Sequence, residues 1–283
     1  MSATTDAATQ ETLSDRPLRR FLAPARFWRL REEVSPRLYS LLGVASVAVP
    51  LLAWTLLSLS GWVEPLFLPS PFKVLQAFVT LFTDKGLLVD VGVSLARVSG
   101  GFFLGALVAI PLGLLMGSFK SFQAAFEPAI GLVRYMPATA FIPLLILWLG
   151  IGEPTKLALI FIGTVFFNTL MVADAARLVP KDLINVSYTL GANRRQVFFQ
   201  VLIPHALPGI LDALRVNMAA AWNLVIVSEL VAAQSGLGYQ ILRAQKFLLT
   251  DNIFVGLILI GLIGLLTDLC FGWLRSTLAA WAD

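Results

Sequence analysis

Side chains able to do chemistry are scarce in this sequence, and the scarcity narrows what that chemistry can be. With one histidine, His205, and one cysteine, Cys270, no disulfide can close within the chain and no thiol metal site is suggested. No His-Glu-x-x-His occurs, and no stretch reads G-x-x-x-x-G-K-[ST], the loop that cradles phosphates. What remains are polar groups set among apolar ones: Arg134 with Tyr135, then Asn168, then Asn217, Trp222, Asn223, Ser228 and Glu229. Such groups either line the path of a polar solute or hydrogen-bond one helix to another. Asn217, Asn223 and Glu229 are six residues apart each, which does not put all three on one line of a straight helix, so some of them act as interhelical glue. Glu229 is expected to cap or pair near a helix end, with Arg243 or Lys246. His205, beside Pro204, has a structural role, and Cys270 reads as a small packed hydrophobe.

The elements that hold these groups are membrane spans. Hydrophobic residues make up 58% of the 283, charged residues only 13%, and the mean hydropathy is +0.82, far outside the soluble range. The apolar material falls into runs of ~20 residues, the length a helix needs to cross a bilayer core. We place spans at residues 41–60, 94–117, 125–149, 156–176, 206–231 and 253–274, giving an all-α polytopic membrane protein of about six transmembrane helices. Residues 1–39 form an Arg-rich tail and 40–283 the transmembrane domain. Pro50 kinks the first span. Phe72, Leu75, Phe78, Val79 and Phe82 recur at helical spacing, which predicts an amphipathic interfacial helix with Pro71 in its first turn and Ser70 as its cap.

Charge sets the orientation. Thirteen of the 21 Lys and Arg residues fall on the side of the termini and five on the other, while Arg97, Arg134 and Arg215 lie within or at the ends of spans. The positive-inside rule therefore puts both termini in the cytoplasm. In so apolar a chain the net charge of +4 speaks to topology and to anionic lipid under the tail, not to nucleic acid.

Two further patterns constrain packing. Gly101, Gly105, Ala109, Gly113 and Gly117 repeat every four residues and make one smooth stripe for close helix approach, within or between subunits. After a short polar turn at residues 118–123, Arg134, Pro137 and Pro143 interrupt the third span, so its early part is irregular and faces protein.

The cytoplasmic stretch 182–204 is neither a span nor a tight turn. Leu183, Val186 and Leu190 give a short amphipathic helix one apolar edge, and Gly191 ends it in a left-handed backbone. Asn193 with Gln196 predicts a capping box opening a second helix that carries Val197, Phe198, Val201 and Leu202 toward Pro204. Arg194 and Arg195 in that first turn oppose the helix dipole, which lipid phosphate, topology or an acidic partner would offset. With no nucleotide site in the chain, any ATP energy must come from another chain.

These residues resemble the membrane permease subunits of bacterial ATP-binding-cassette importers, whose cytoplasmic loop reads Glu-Ala-Ala, three residues, Gly, nine residues, Ile-x-Leu-Pro. Gly191 and Pro204 match, Val201 and Ile203 stand for the Ile and Leu, and Asn185-Val186-Ser187 replaces Glu-Ala-Ala. Within that superfamily the chain looks most like the nitrate/sulfonate/taurine branch, through Leu68-Pro69-Ser70-Pro71, Ile110-Pro111-Leu112-Gly113, Ile142-Pro143-Leu144-Leu145 and Ser235-Gly236-Leu237-Gly238-Tyr239. The likeness covers roughly residues 65–275.

The resemblance implies a type I importer (MetI-like) transmembrane domain that works as a homodimer in the bacterial inner membrane. It implies ATPase subunits that hold ATP and Mg on their own chains and meet Asp182, Leu183, Asn185, Val186, Ser187, Leu190, Gly191, Ala192, Asn193 and Arg194 in the coupling loop 180–205. An external binding protein would deliver a small anion such as a sulfonate, taurine, nitrate or bicarbonate. This chain itself would carry no cofactor, no metal and no catalytic residue. A self-contained secondary transporter or channel is the alternative; inverted repeats would favour it, and none is seen. An intramembrane enzyme would need a nucleophile–base or metal constellation.

Overall fold

The structure is a computed structural model that describes residues 34–84 and 86–282; the arginine tail before residue 34 and Lys85 lie outside the described residues. Every regular element among the described residues is helical. The described residues up to Trp62 form one unit and those from Val63 onward a second.

The first unit contributes α1, Pro36–Leu59, with Ser35 capping and Pro36 at the first helical position. Two of its hydroxyls bond back to their own helix, Ser46 to the Gly43 carbonyl and Thr55 to the Leu51 carbonyl.

The second unit opens with α2, Pro71–Asp84, the amphipathic helix predicted for that stretch; the Ser70 hydroxyl accepts from the Lys73 amide. Its core is α3 (Leu87–Ser118), α6 (Glu153–Arg177) and α9 (Ile203–Ala232), with α11 (Thr250–Leu278) against α9. The contact between α3 and α6 is the most extensive in the molecule. The glycine stripe makes it. A Cβ at Gly101 would lie 2.6 Å from the Ile160 Cβ, one at Gly113 2.6 Å from the Thr169 carbonyl oxygen and one at Gly117 2.5 Å from that of Ala173. Gly105 sits against Thr164, and Ala109 is fully buried. Two parallel helices therefore approach backbone to side chain within one chain, which glycine alone permits.

Several boundaries differ from expectation. The polar turn 118–123 is reduced to Phe119, because α4 (Lys120–Val133) starts at once. The third span is two pieces, α4 and a helical stretch Ala138–Leu149 containing α5 (Ile142–Leu149), bent by 82°. Pro204 does not close the segment before it. A capped turn, α8 (Arg194–Gln196), passes through a π-helical turn, Val197–Leu202, straight into α9, so Arg194–Val231 is one continuous 38-residue helix. Proline cannot donate to the carbonyl four residues back, and the wider π turn just ahead of it absorbs that defect. The stretch after the fifth span also holds a helix of its own, α10 (Leu237–Lys246). Cys270 is free and exposed on α11 rather than packed. Among the described residues, five helices are long and apolar enough to cross a membrane, or six with the bent pair taken as one span.

Candidate functional site

Three places hold the sequence-derived residues. At one end of the unit, α7 (Lys181–Thr189) is followed by a two-part stop. The Gly191 amide donates to the Tyr188 carbonyl (3.0 Å) and the Ala192 amide to that of Ser187 (3.0 Å), with Gly191 at φ +87°. This is a Schellman ending, and it needs the left-handed residue at that position. Asn193 then opens α8 reciprocally: its Oδ1 accepts from the Gln196 amide at 3.0 Å, and its own amide donates to Gln196 Oε1 at 2.8 Å. Two glycine- and amide-built stops back to back fix the angle between the helices.

The pair is anchored by Ile184, Val197, Phe198 and Leu202 packing toward the core, with Phe198 stacked on Phe119 at 5.9 Å between centroids. The edge read from the sequence points elsewhere. Leu183, Val186 and Leu190 are exposed, Leu190 to 82%, as are Arg194 and Arg195. Asp182, Asn185 and Asn193 are exposed beside them, with Ser187 and Ala192 half-buried.

At the opposite end lies a network that the sequence did not disclose. Glu229 is fully buried, and its partner is Arg97 of α3, not Arg243 or Lys246: Arg97 Nη1 donates to Glu229 Oε1 at 2.9 Å. The Ser94 hydroxyl donates to the same carboxylate at 2.7 Å, and the Gly238 amide to its Oε2 at 2.8 Å. Arg97 also grips Glu153 with two parallel bonds, 2.7 and 2.6 Å, and gives Nη1 to the Ser235 carbonyl at 2.6 Å. Lys156, at the start of the fourth span, is buried and donates to Glu153 at 2.8 Å.

The Ser-Gly-Leu-Gly segment owes its composition to this cradle. The Gly236 amide donates to Asp90 (2.6 Å) and the Leu237 amide to the Ser94 oxygen (2.9 Å). A Cβ at Gly236 would fall 2.4 Å from Glu229 Oε1, and one at Gly238 2.8 Å from the Glu229 Cβ. Successive backbone amides thus wrap two buried carboxylates, and side chains there would displace them. Sequence distance hid the pairing, since Arg97 and Glu229 are 132 residues apart. The available signal was an arginine and a glutamate each set inside an apolar run.

The polar groups of the spans divide by exposure. Asn168 and Asn217 are buried and bonded to each other, Asn217 Nδ2 to Asn168 Oδ1 at 2.8 Å, joining α6 to α9. Trp222 is buried with its indole nitrogen 3.3 Å from Thr267, and Ser228 bonds back to the Val225 carbonyl. Asn223 is exposed on α9, Tyr135 is exposed at the α4–α5 break, and Arg134 beside it is half-buried. Lower on the α9–α11 contact, Arg215 pairs with Asp268 at 2.6 Å through its Nε and Arg275 with Asp212 at 3.2 Å, an antiparallel two-rung ladder.

Residues 109–281 match the family model described as the binding-protein-dependent transport system inner membrane component. The chain belongs to this family. It is 37% identical over 242 residues to a probable ABC transporter permease protein of Brucella abortus, a match covering 86% of this chain and 96% of the relative. The taurine transport system permease protein TauC of Escherichia coli is 34% identical over 260 residues, covering 90% and 92%. The nitrate import permease protein NrtB of Synechocystis is 34% identical over 240 residues, covering 82% and 86%. Among solved structures, a chain of the MetNI methionine ABC transporter in an inward-facing conformation superposes with a TM-score of 0.60 at 22% identity, over 68% of this chain and 95% of that one. The fold of this ABC transporter permease is thus the MetI-like importer transmembrane domain.

Proposed function

We propose that this permease works as one of two identical subunits in an ATP-driven importer of a small anion, of the sulfonate, taurine, nitrate or bicarbonate type. The observation that carries the proposal is the uncovered apolar edge Leu183, Val186 and Leu190 on a helix pair whose angle is fixed by the Gly191 stop and the Asn193 cap. A rigid element with an open apolar face suits the transmission of force from a partner, and α8 continues without a break into α9. Motion received there reaches the interior of the bundle as a rigid-body displacement. ATP and Mg belong to the ATPase partners. The α7–α8 end lies in the cytoplasm of the bacterial inner membrane with both termini, and an external binding protein meets the α10 end. The anion class is supported by the relatives named for taurine and nitrate.

The test is uptake by proteoliposomes holding this chain, its ATPase and its binding protein. Uptake of [35S]taurine or nitrate should require ATP and all three components, and should be lost when Gly191→Trp disrupts the turn. Transport by the chain alone, without ATP, would overturn the proposal.

A further inference from the structure

Of the three arginines that the sequence places within or at the ends of spans, two have carboxylate partners. Arg97 has Glu229 and Glu153, and Arg215 has Asp268. Arg134 has none: among the described residues no carboxylate pairs with it. Its guanidinium stacks over the Tyr135 ring, 4.9 Å from the centroid, and Nη2 donates to the Tyr135 hydroxyl at 3.0 Å. Its Nε is buried with no hydrogen-bond partner.

Depth makes this unusual. A Cβ at Gly163 would meet both Ala138, just past the break, and Leu224 of α9. Gly163 lies near the middle of the 25-residue α6, so the chain just past the break packs at mid-span against α6 and α9. A guanidinium at that level without a fixed counter-charge is costly unless water or a passing anion supplies one. Irregular backbone at such depth belongs where it lines a cavity.

We propose that Arg134 and Tyr135 form the anion-selecting station of the transport path, with the transported oxyanion itself as the missing counter-charge. The planar guanidinium offers parallel N–H donors to a sulfonate or nitrate. The Tyr135 hydroxyl, which accepts from Arg134, keeps its own proton to donate to the same anion. Tyr135 is 77% exposed, so its hydroxyl is open to a solute. The inference rests on the anion-importer reading above.

The assay is ATP-dependent uptake of taurine, ethanesulfonate and nitrate by the reconstituted complex. Arg134→Gln should lower the maximal rate ~10-fold or more, with the half-saturating concentration unchanged because the binding protein still captures the anion. Arg134→Lys, which keeps a point charge, should fall between the two, and Tyr135→Phe should lose roughly threefold. Wild-type rates in Arg134→Gln would overturn the inference and leave the importer reading standing. If Arg134→Gln does not reach the membrane, wild-type rates in both Arg134→Lys and Tyr135→Phe overturn it equally. Failure of the wild-type complex to take up any of the three anions would overturn the anion reading and this inference together.

Discussion

Gly191 and Gly236 flank the same 38-residue helix, and both hold positive φ, +87° and +113°. Their surroundings are opposite. Around Gly191 a Cβ would meet nothing within 4 Å, whereas at Gly236 it would strike the Glu229 carboxylate. At the α10 end, then, glycine supplies both a backbone angle and space, in a network whose buried carboxylates are wrapped by amides, a hydroxyl and an arginine. At the α7 end it supplies the angle alone, next to an apolar edge that no described residue covers. One end is built to hold three helices and a turn in a single arrangement. The other leaves an apolar edge open.

The largest effect should come from breaking the closed end. Glu229→Ala leaves Arg97 buried without its inner partner and frees the Ser94 hydroxyl and the Gly238 amide, which should cost ~3–5 kcal/mol. Thermal unfolding of the purified chain in nanodiscs measures it. A loss under about 1 kcal/mol would mean that the network is not what fixes this end.

The glycine pair sharpens the contrast next. Gly191→Ala should cost ~1 kcal/mol, the left-handed penalty by itself. Gly236→Ala should cost ~2–4 kcal/mol, because a backbone conformation open essentially only to glycine is joined by overpacking against Glu229. Equal shifts in unfolding temperature for the two variants would erase the distinction.

The difference between the ends also explains what was legible in the sequence. Local chemistry could be read directly. The Gly191 stop and the Asn193–Gln196 capping box are formed by residues within a few positions of one another, and the spans follow from apolar runs that only a bilayer explains. The four-residue glycine register announced a tight helix contact, though not that α6 would be the helix received. Non-local chemistry could not be read. Glu229 is expected to pair with Arg243 or Lys246, the next cations after it in the chain, but both are exposed on α10, and the fold brings Arg97 from 132 positions back. Asn168 and Asn217, polar in apolar helices, could either line a path or join helices, and only the fold shows them bonded to each other. Pro204 looked like a boundary because a proline ends an ordinary α-helix, and the π turn that carries the helix through it has no simple sequence signature.

The smallest effect on stability is expected at the open end, and there it separates folding from work. Leu190 is 82% exposed, so Leu190→Ser removes almost no packing and should change stability by less than about 0.5 kcal/mol. Ile184, six residues earlier on α7 and packed against the core, is the internal control: Ile184→Ser should destabilise by ~2 kcal/mol or more, since it puts a hydroxyl where an aliphatic side chain was packed. If the apolar edge is where an ATPase seats, Leu190→Ser should nevertheless cut ATP-driven uptake severalfold and weaken co-purification of the ATPase, because a contact buried only in the complex counts only there. A stable Leu190→Ser chain that imports at the wild-type rate would show that the exposed edge is idle, and that force enters α9 through the arginines or the loop backbone instead.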